Sequence, residues 1–226
     1  MAGTAFLFLN GHYHPDDRAL VVRLMRATRP RPLVIAVDGG LAFLQRCGQR
    51  PDVWLTDLDS TPRIKKGFIH RTEMLLFPRR KDKTDGELAL DYCRRRQVAA
   101  VTVFGWYDRA YETDHLLGNL LLGRGRAVSG GTIRIRFLDS RQEIIPLRDE
   151  TLTIRGRRGC RLSVVPLAGV VRLTARGVDY PARNLPIRIG QTIALRNRIV
   201  ADRAAITVAG PALAIIGWKG PRESGK

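Results

Sequence analysis

The spacing of apolar positions changes character near the middle of the chain. Up to about residue 125, short apolar runs at 4–10, 33–37, 53–56, 74–77 and 100–104 alternate with stretches of helical spacing. Runs this short, rich in Val, Leu, Ile and Phe and without polar alternation, predict strands covered on both faces. Residues 16–28 open on two acids suited to a helix N-terminus and place Leu20, Val21, Leu24 and Thr28 on one face. Residues 41–47 follow a Gly-Gly pair and stop at Gly48, residues 85–96 put Leu88, Ala89 and Tyr92 on one side, and residues 114–122 form a fourth helical stretch before Gly123. Such alternation predicts an α/β fold, a mostly parallel sheet with helices on both faces. Beyond Gly130-Gly131 the pattern is one of strands alone, at 132–138, 143–146, 151–155, 161–166, 170–175, 185–189, 192–195, 204–208 and 212–216, punctuated by Gly, Pro, Asn or Asp. Evenly spaced short strands predict an antiparallel β-sandwich or barrel. The boundary falls near Ser140, giving an α/β domain over 1–139 and a β-sandwich domain over 140–226.

Composition narrows the classes of protein without choosing a function. Over 226 residues, 44% are hydrophobic and 27% charged, the balance of a globular chain and not of a disordered one. No apolar run is long enough for a membrane-spanning helix, and residues 1–10 read as a first strand and not as a secretory leader. Cys47, Cys93 and Cys160 are too widely spaced for a disulfide framework or a Cys-x-x-Cys metal pair, which points to the cytoplasm. The formal charge is +18, with 33 Arg among the 39 basic residues. These cations are spread along the chain with no nucleic-acid motif, so they read mostly as a solvated surface. The acids are more informative: 14 of the 21 lie within residues 1–118.

Ligands of open α/β sheets bind at the carboxyl ends of the strands, and acids gather there. Asp38-Gly39-Gly40 follows the strand at 33–37, and Asp57-Leu58-Asp59-Ser60 follows that at 53–56. Lys81-Asp82-Lys83-Thr84-Asp85 comes after 74–77, and Asp114-His115 after 100–104. Taken singly, Asp38, Thr84-Asp85 and Asp114 suit helix caps, and Asp57 with Asp59 suits a turn. Four such groups at successive strand ends point instead to a shared site. Like charges held together call for a cation, and a hard divalent ion, Mg²⁺, is the economical one, arriving with phosphates. Gly39 and Gly40 permit a close backbone approach, while helix N-termini and Lys81, Lys83 and Arg80 favour phosphate. No P-loop, dinucleotide fingerprint, His-x-x-x-His pair or Gly-x-Ser-x-Gly elbow is present.

The ordered set Val37-Asp38-Gly39-Gly40, Arg50-Pro51-Asp52, Asp57-Leu58-Asp59-Ser60, Lys81-Asp82-Lys83-Thr84-Asp85, Asp114-His115 and Asn119-Leu120 resembles the thiamine pyrophosphokinase family. Gly177-Val178-Asp179-Tyr180-Pro181 with Asn184 looks like that family's C-terminal turn. The resemblance implies a Mg²⁺-dependent transferase that moves diphosphate from ATP to the hydroxyl of thiamine, giving thiamine diphosphate and AMP. It implies a homodimer, with the α/β domain of one subunit and the sandwich of the other sharing each active site. By the same resemblance Asp57, Asp59 and Asp85 are catalytic and hold the metal. Asp38, Gly39, Gly40, Ser60, Lys83, Thr84, Asp114 and His115 hold ATP, with Arg109 a nearby substitute for a family arginine; Arg196 and Asn197 stand at the family's acceptor pocket, and Trp218 or Trp106 offers a ring to stack on the acceptor. Three positions depart from the family pattern: Thr56 for Gly, Ala110-Tyr111-Glu112 for Gly-Gly-Arg, and Arg196-Asn197 for Ser-Asn. An Arg beside a cationic thiazolium leaves open a different acceptor, a hydroxymethyl pterin or pyrimidine. A non-catalytic nucleotide- or nucleic-acid-binding relative is the alternative from another class.

Overall fold

The structure, a computed structural model, describes residues 3–59, 62–78, 80, 82–107, 113–122 and 133–218. The chain divides into two compact units, Met1–Ser140 and Arg141–Lys226. In the first, six strands pair in parallel: β1 (Thr4–Phe8), β2 (Leu33–Val37), β3 (Val53–Thr56), β4 (Glu73–Leu76), β5 (Ala100–Phe104) and β6 (Arg134–Leu138). Their order across the sheet is β6-β5-β1-β2-β3-β4. The chain thus winds outward from β1 to β4, returns to the other side of β1 as β5, and continues outward to β6. Between β1 and β5 the winding direction reverses, and the loops leaving these two strands diverge, which opens a crevice at their carboxyl ends.

Four helices accompany this sheet: α1 (Asp17–Ala27), α2 (Gly40–Cys47), α3 (Asp85–Arg95) and α4 (Thr113–Leu122). Helix α1 packs beside α2, and α3 beside α4. Strands β1, β2, β3 and β5 are buried almost throughout, which is why their sequences do not alternate. At the core, the Phe8 and Phe104 rings stack at 4.9 Å across paired strands and Phe6 meets Phe104 edge-on at 5.6 Å, contacts worth about 0.5–1.5 kcal/mol each beyond their burial. Asp52, just before β3, accepts the Val34 N–H at 2.8 Å and pairs with Arg31 at 2.8 Å. It fastens the amino ends of β2 and β3, away from the strand ends where ligands bind, so this part of the Arg50-Pro51-Asp52 motif is structural.

The second unit is antiparallel wherever its strands pair. It comprises β7 (Gln142–Arg155), β8 (Arg161–Pro166), β9 (Val170–Arg176), β10 (Ala182–Arg188), β11 (Asn197–Arg198) and β12 (Arg203–Gly217). Strand β12 pairs with β7 along its length, with β9 through Ala205–Ala209 and with β8 through Ala212–Gly217, so one long strand serves two neighbours in succession. Here the strand boundaries read from sequence need correction. The breaks expected at 147–150 and 209–211 are not turns; the ladder runs through them as a bulge. Gly210, at φ +105, donates its N–H to Asp149 at 2.7 Å, and Asp149 itself has φ +51. A Gly-Pro pair that reads as a turn is tolerated because the bulge needs no ladder bond from Pro211. The expected strand at 192–195 is a turn, and the two-residue strand β11 was not anticipated.

Two glycines carry a packing constraint that tests this fold. A Cβ on Gly40 would lie 2.0 Å from the Phe8 carbonyl oxygen, a backbone atom in the buried sheet, whereas one on Gly118 in α4 meets nothing within 4 Å. Gly40→Ala is expected to lower stability by about 1–3 kcal/mol through forced backbone movement. Gly118→Ala is expected to leave it unchanged or raise it by up to about 1 kcal/mol through helix propensity. Urea midpoints at equal m-value measure both; a Gly40→Ala protein as stable as Gly118→Ala would contradict the packing of α2 on β1.

Candidate active site

At the carboxyl edge of the parallel sheet lies a cavity of about 450 Å³. Its wall is built by Leu9, Asn10 and Gly11 after β1, Val37 and Asp38 at β2, Asp57 and Asp59 after β3, Thr84, Asp85 and Gly86 at the start of α3, Gly105, Trp106 and Tyr107 after β5, and His115 and Asn119 of α4. The cavity spans the crevice between β1 and β5 and extends over the acids of β2 and β3. Of the residues expected from sequence, Asp38, Asp57, Asp59, Thr84, Asp85 and His115 meet here. Gly39, Gly40, Lys83 and Asp114 do not line it. Ser60, Lys81, Arg109 and the segment at 110–112 lie outside the described residues, and Arg196, Asn197 and Trp218 belong to the other unit.

Asp38 is the most constrained of the acids. It is 8% exposed, and its backbone is fixed twice: its N–H bonds Leu55 O at 2.9 Å, and its carbonyl accepts the Trp54 indole N–H at 3.2 Å. It also sits at φ +42, a left-handed conformation that costs a non-glycine residue roughly 1–2 kcal/mol. One carboxylate oxygen, Oδ1, is buried without a hydrogen-bond partner among the described residues. Burial, and after it the charges of Asp85 and Asp57, push the carboxyl up to about 6, against the pull of hydrogen bonds from Thr56 and the Asp57 backbone.

The Asp57-Leu58-Asp59 segment is a tight turn held by side chains. The Leu58 N–H donates to Thr56 Oγ1 at 3.0 Å, the Asp59 N–H to Asp57 Oδ1 at 3.0 Å, and Leu58 takes φ +65. Thr56, where the family pattern has Gly, is fully buried, and its hydroxyl serves both this turn and Asp38. The departure is therefore absorbed as an extra hydrogen-bond donor and acceptor inside the turn. Both left-handed non-glycine residues of this region, Asp38 and Leu58, adjoin the cavity, where strain of this kind collects at functional sites.

Helix α3 begins with its capping signal beside these acids. The Thr84 hydroxyl accepts the Glu87 N–H at 3.2 Å, and Asp85 and Glu87 occupy the first turn. Thr84 therefore caps the helix and lines the cavity at once. Lys83 turns the other way, along the helix: its Nζ lies 2.6 Å from Asp91 and 3.6 Å from Glu87, and these partners raise its pKa, with the Asp91 hydrogen bond first. Gly39 and Gly40 also serve the protein's own packing. A Cβ on Gly39 would collide with the Asn10 side chain and one on Gly40 with the Phe8 carbonyl, so the N-terminus of α2 sits tight against β1. Asp114 accepts the N–H of His115 at 2.9 Å at the start of α4.

In the second unit, the Asn197 amide is committed to a turn. It accepts the Tyr180 N–H at 3.1 Å and donates to the Tyr180 carbonyl at 2.8 Å, leaving the Tyr180 side chain 76% exposed. Arg196, at φ +56, donates its N–H to Ser163 Oγ at 2.9 Å. The Arg157 guanidinium lies 3.9 Å from the centre of the Trp218 ring, over its face.

The residues that sequence reasoning missed as site residues are those of the β1 and β5 ends: Asn10, Gly11 and Tyr107. Asn119 had been noted only as part of a motif; its amide donates to the Trp106 carbonyl at 3.0 Å and ties α4 to the β5 end. No acid marks the end of β1 or the residues directly after β5, so a pattern of strand-end acids does not reveal them. The order of strands was the missing signal.

As for a cation, the donor set is carboxylate oxygen, suited to a hard ion, and Asp38 Oδ1 is an unpartnered buried oxygen beside two further acids. Among the described residues no three His, Cys, Asp or Glu side chains form a ready metal cage. Mg²⁺ needs none, since it binds through one or two carboxylates, water and substrate phosphates. The residues fit that ion.

Comparison with known proteins bears on the same region. Residues 24–125 match the sequence model described as the thiamin pyrophosphokinase catalytic domain. The chain is 29% identical over 195 residues to a thiamine pyrophosphokinase of Bacillus subtilis, covering 84% of this chain and 89% of that protein. A crystal structure of thiamine pyrophosphokinase from Bacillus subtilis superposes with a TM-score of 0.77 at 25% identity, over 96% of this chain and all of that one. One from Geobacillus thermodenitrificans gives 0.77 at 24% identity, over 97% of this chain and 99% of that one, a likeness of fold. The resemblance drawn from the motifs is shown by these comparisons.

The acid cluster predicts a pH signature in the metal-free protein. An Asp that ionises near 3.8 when unfolded and near 6 when folded keeps its proton longer in the native state. Stability therefore falls as pH rises through that window, and the full penalty is present above about 6. Asp38→Asn removes the charge, so its Tm should match the parent's below pH 4, exceed it increasingly up to about pH 6 and keep that lead above it. Thermal melts across pH in chelator measure this; a constant difference between the two proteins would remove the buried-charge account.

Proposed function

We propose that this chain, whose residues 24–125 carry the match to the thiamin pyrophosphokinase catalytic domain, transfers diphosphate from ATP to the hydroxyl of thiamine, releasing AMP. The observation that carries this reading is the cavity at the reversal of strand order, lined by acids from β2, β3 and the start of α3 within the matched segment. Transfer of a phosphoryl-type group needs in-line placement and neutralised charge more than covalent chemistry. Mg²⁺ held by Asp57, Asp59 and Asp85 supplies that neutralisation when bound.

The chain's own residues do the rest. The N-terminus of α3, capped by Thr84, offers phosphate oxygens the positive end of the helix dipole. Asp85, at the same helix start, orients or deprotonates the attacking hydroxyl. Asp38, whose pKa is raised by burial first and then by Asp85 and Asp57, keeps the cluster poised for a cation. His115 of α4 also lines the cavity, with Asp114 beside it in sequence. Gly39 and Gly40 hold the N-terminus of α2 against β1. Ser60, Lys83 and Arg109 complete the proposed ATP contacts; Lys83 reaches them by leaving Asp91.

Residues 140–226 read as a β-sandwich that receives the acceptor through Arg196, Asn197 and Trp218 and supports a homodimer. Large apolar side chains left exposed there, Tyr180, Ile189 and Ile193, favour a second copy as cover. No helix among the described residues is long and apolar enough to cross a membrane. The three thiols are free and buried, with Cys47 pushed up to about 11 and Cys93 to about 12 by burial. Inert thiols of this kind accord with a cytoplasmic enzyme.

The reading is tested by AMP release from ATP and Mg²⁺ with thiamine, a hydroxymethylpterin or a hydroxymethylpyrimidine as acceptor. Thiamine is expected to support turnover best; preference for another ring would move the acceptor assignment to Arg196 and its surroundings. Asp57→Asn should lower kcat at least 100-fold with an unchanged circular dichroism spectrum, a loss in the range of a removed charge-stabilising group. Activity near that of the parent would sink the metal assignment.

A further inference from the structure

Strand register in the second unit gathers arginines that are scattered in sequence. Strand β9 buries Val171, Leu173 and Ala175 and turns Arg172, Thr174 and Arg176 outward. Strand β12 buries Ala204, Ile206 and Val208 and turns Arg203, Ala205, Thr207 and Ala209 outward. Thr207 stands opposite Thr174 on one side and Thr151 of β7 on the other, and the Thr151 and Thr207 hydroxyls meet at 2.8 Å. A row of three threonines therefore crosses the outer face of this sheet. At one end of the face Arg203 lies directly opposite Arg155 of β7, and Arg176, opposite Ala205, is their diagonal neighbour. At the other end Arg172 lies diagonal to Arg188 of β10.

These five arginines are exposed, and none has an ion pair or a side-chain hydrogen bond among the described residues. No acid occupies an outward strand position between the two groups. The acids of the neighbouring strand ends are engaged or lie at the rim: Asp149 accepts the Gly210 N–H at 2.7 Å, Glu150 accepts the Arg148 N–H at 3.2 Å, and Asp202 sits in the turn before β12. Like charges directly opposite each other in a sheet repel, and an anion lying over them removes the repulsion. Arg172 and Arg176 are four residues apart on one strand, about 13 Å at about 3.3 Å per residue. That separation is close to the width of the major groove of duplex DNA, about 12 Å. Each arginine group can therefore meet one of the two phosphate strands that border a groove, with hydroxyls, which also bond phosphate, between them. No outward position of this face carries an aromatic side chain. It thus lacks both the stacking platform of a single-strand binder and the anchors of a protein interface. A second copy packed here about a two-fold axis would set arginine against arginine.

We propose that the outer face of the β10-β9-β12-β7 sheet is a docking surface for the phosphate backbone of a double helix, bound without regard to sequence. It uses none of the residues assigned to diphosphate transfer. The full chain is titrated with a short fluorescent DNA duplex of mixed sequence over a range of salt concentrations. Five phosphate contacts at about 0.9 each give an expected slope of log Kd on log salt of about 4–5. Arg155→Gln with Arg203→Gln should weaken binding at least tenfold at about 0.1 M salt and lower the slope by about 2. Arg23→Gln with Arg26→Gln, at exposed positions of α1 in the first unit, changes the net charge equally and should leave both unchanged. Equal weakening by the two pairs would mean diffuse attraction to a chain of +18 and overturns the surface, as does a parent that binds no duplex. Tighter binding of a single strand than of the duplex overturns the groove geometry and the proposal with it. Binding of polyglutamate or of phosphatidylserine vesicles in place of the duplex, lost in the same variant, assigns the face to another partner and also overturns it. The Arg155 and Arg203 changes remove a like-charge pair, so that variant should melt no lower than the parent at low salt. Should it fail to fold, Arg172→Gln with Arg188→Gln carries the same expectation and decides.

Discussion

A parallel sheet that reverses its winding between two adjacent strands must let the following loops part, and yet the floor beneath them has to stay sealed. In this protein the seal is the interlock of the β1 and β5 ends. Gly11 lies so close to the Gly105 carbonyl that no side chain fits, and the His12 N–H reaches across to Tyr107. Gly105, at φ +63, leaves its own Cβ space to the Tyr13 ring, which stacks on Phe43 of α2 at 3.8 Å. The same tolerance brings the start of α2 against the Phe8 carbonyl, and so sets where Asp38 leaves β2. The placement of the site follows from this packing, since the crevice is only as deep as these loops allow.

On that frame the electrostatics run against the protein's overall charge. A chain of +18 surrounds a cavity whose described ionisable wall is mainly Asp38, Asp57, Asp59 and Asp85. Burial, and after it the neighbouring acids, raise the pKa of Asp38, and Asp38 and Leu58 take left-handed backbone conformations beside them. The gathered charge is unfavourable on its own and would be relieved by the cation the site is proposed to bind, while the left-handed residues mark the kind of backbone strain that collects at functional sites. Among the described residues no arginine is buried, and Lys83, next to the cap of α3, is paired with Asp91 of its own helix.

How far the site could be read from the residues depended on the kind of signal. Asp57-Leu58-Asp59 and Thr84-Asp85 could be found because a carboxylate at a strand end is visible in one dimension once the strand is. Their alternative roles turned out to be equally real. Thr84 is a helix cap and Asp57 a turn acceptor while both line the cavity, because a short loop at a strand end has few atoms and each serves twice. Asp52 looked like part of the same motif and instead fastens the opposite end of the sheet. In the second unit, Gly210-Pro211 read as a turn, and the ladder beyond it could not be seen until β7 supplied partners on both sides.

The alternation of apolar runs and helical stretches determined by itself that the first part is a parallel α/β unit and the second a run of antiparallel strands. The spacing of acids after those runs determined that Asp38, Asp57, Asp59 and Asp85 meet at one cavity. Both are local properties, period and proximity along the chain, and need no knowledge of neighbours. What only the tertiary structure decided is the pairing of β5 with β1 rather than β4, and with it the second half of the cavity. Asn10, Trp106 and Tyr107 carry no distinctive pattern; they line one cavity because Phe8 and Phe104, paired across β1 and β5, end side by side. Strand order is set by the packing of the whole sheet, where burial on both faces and the close approach of Gly11 to Gly105 leave β1 a single partner on that side.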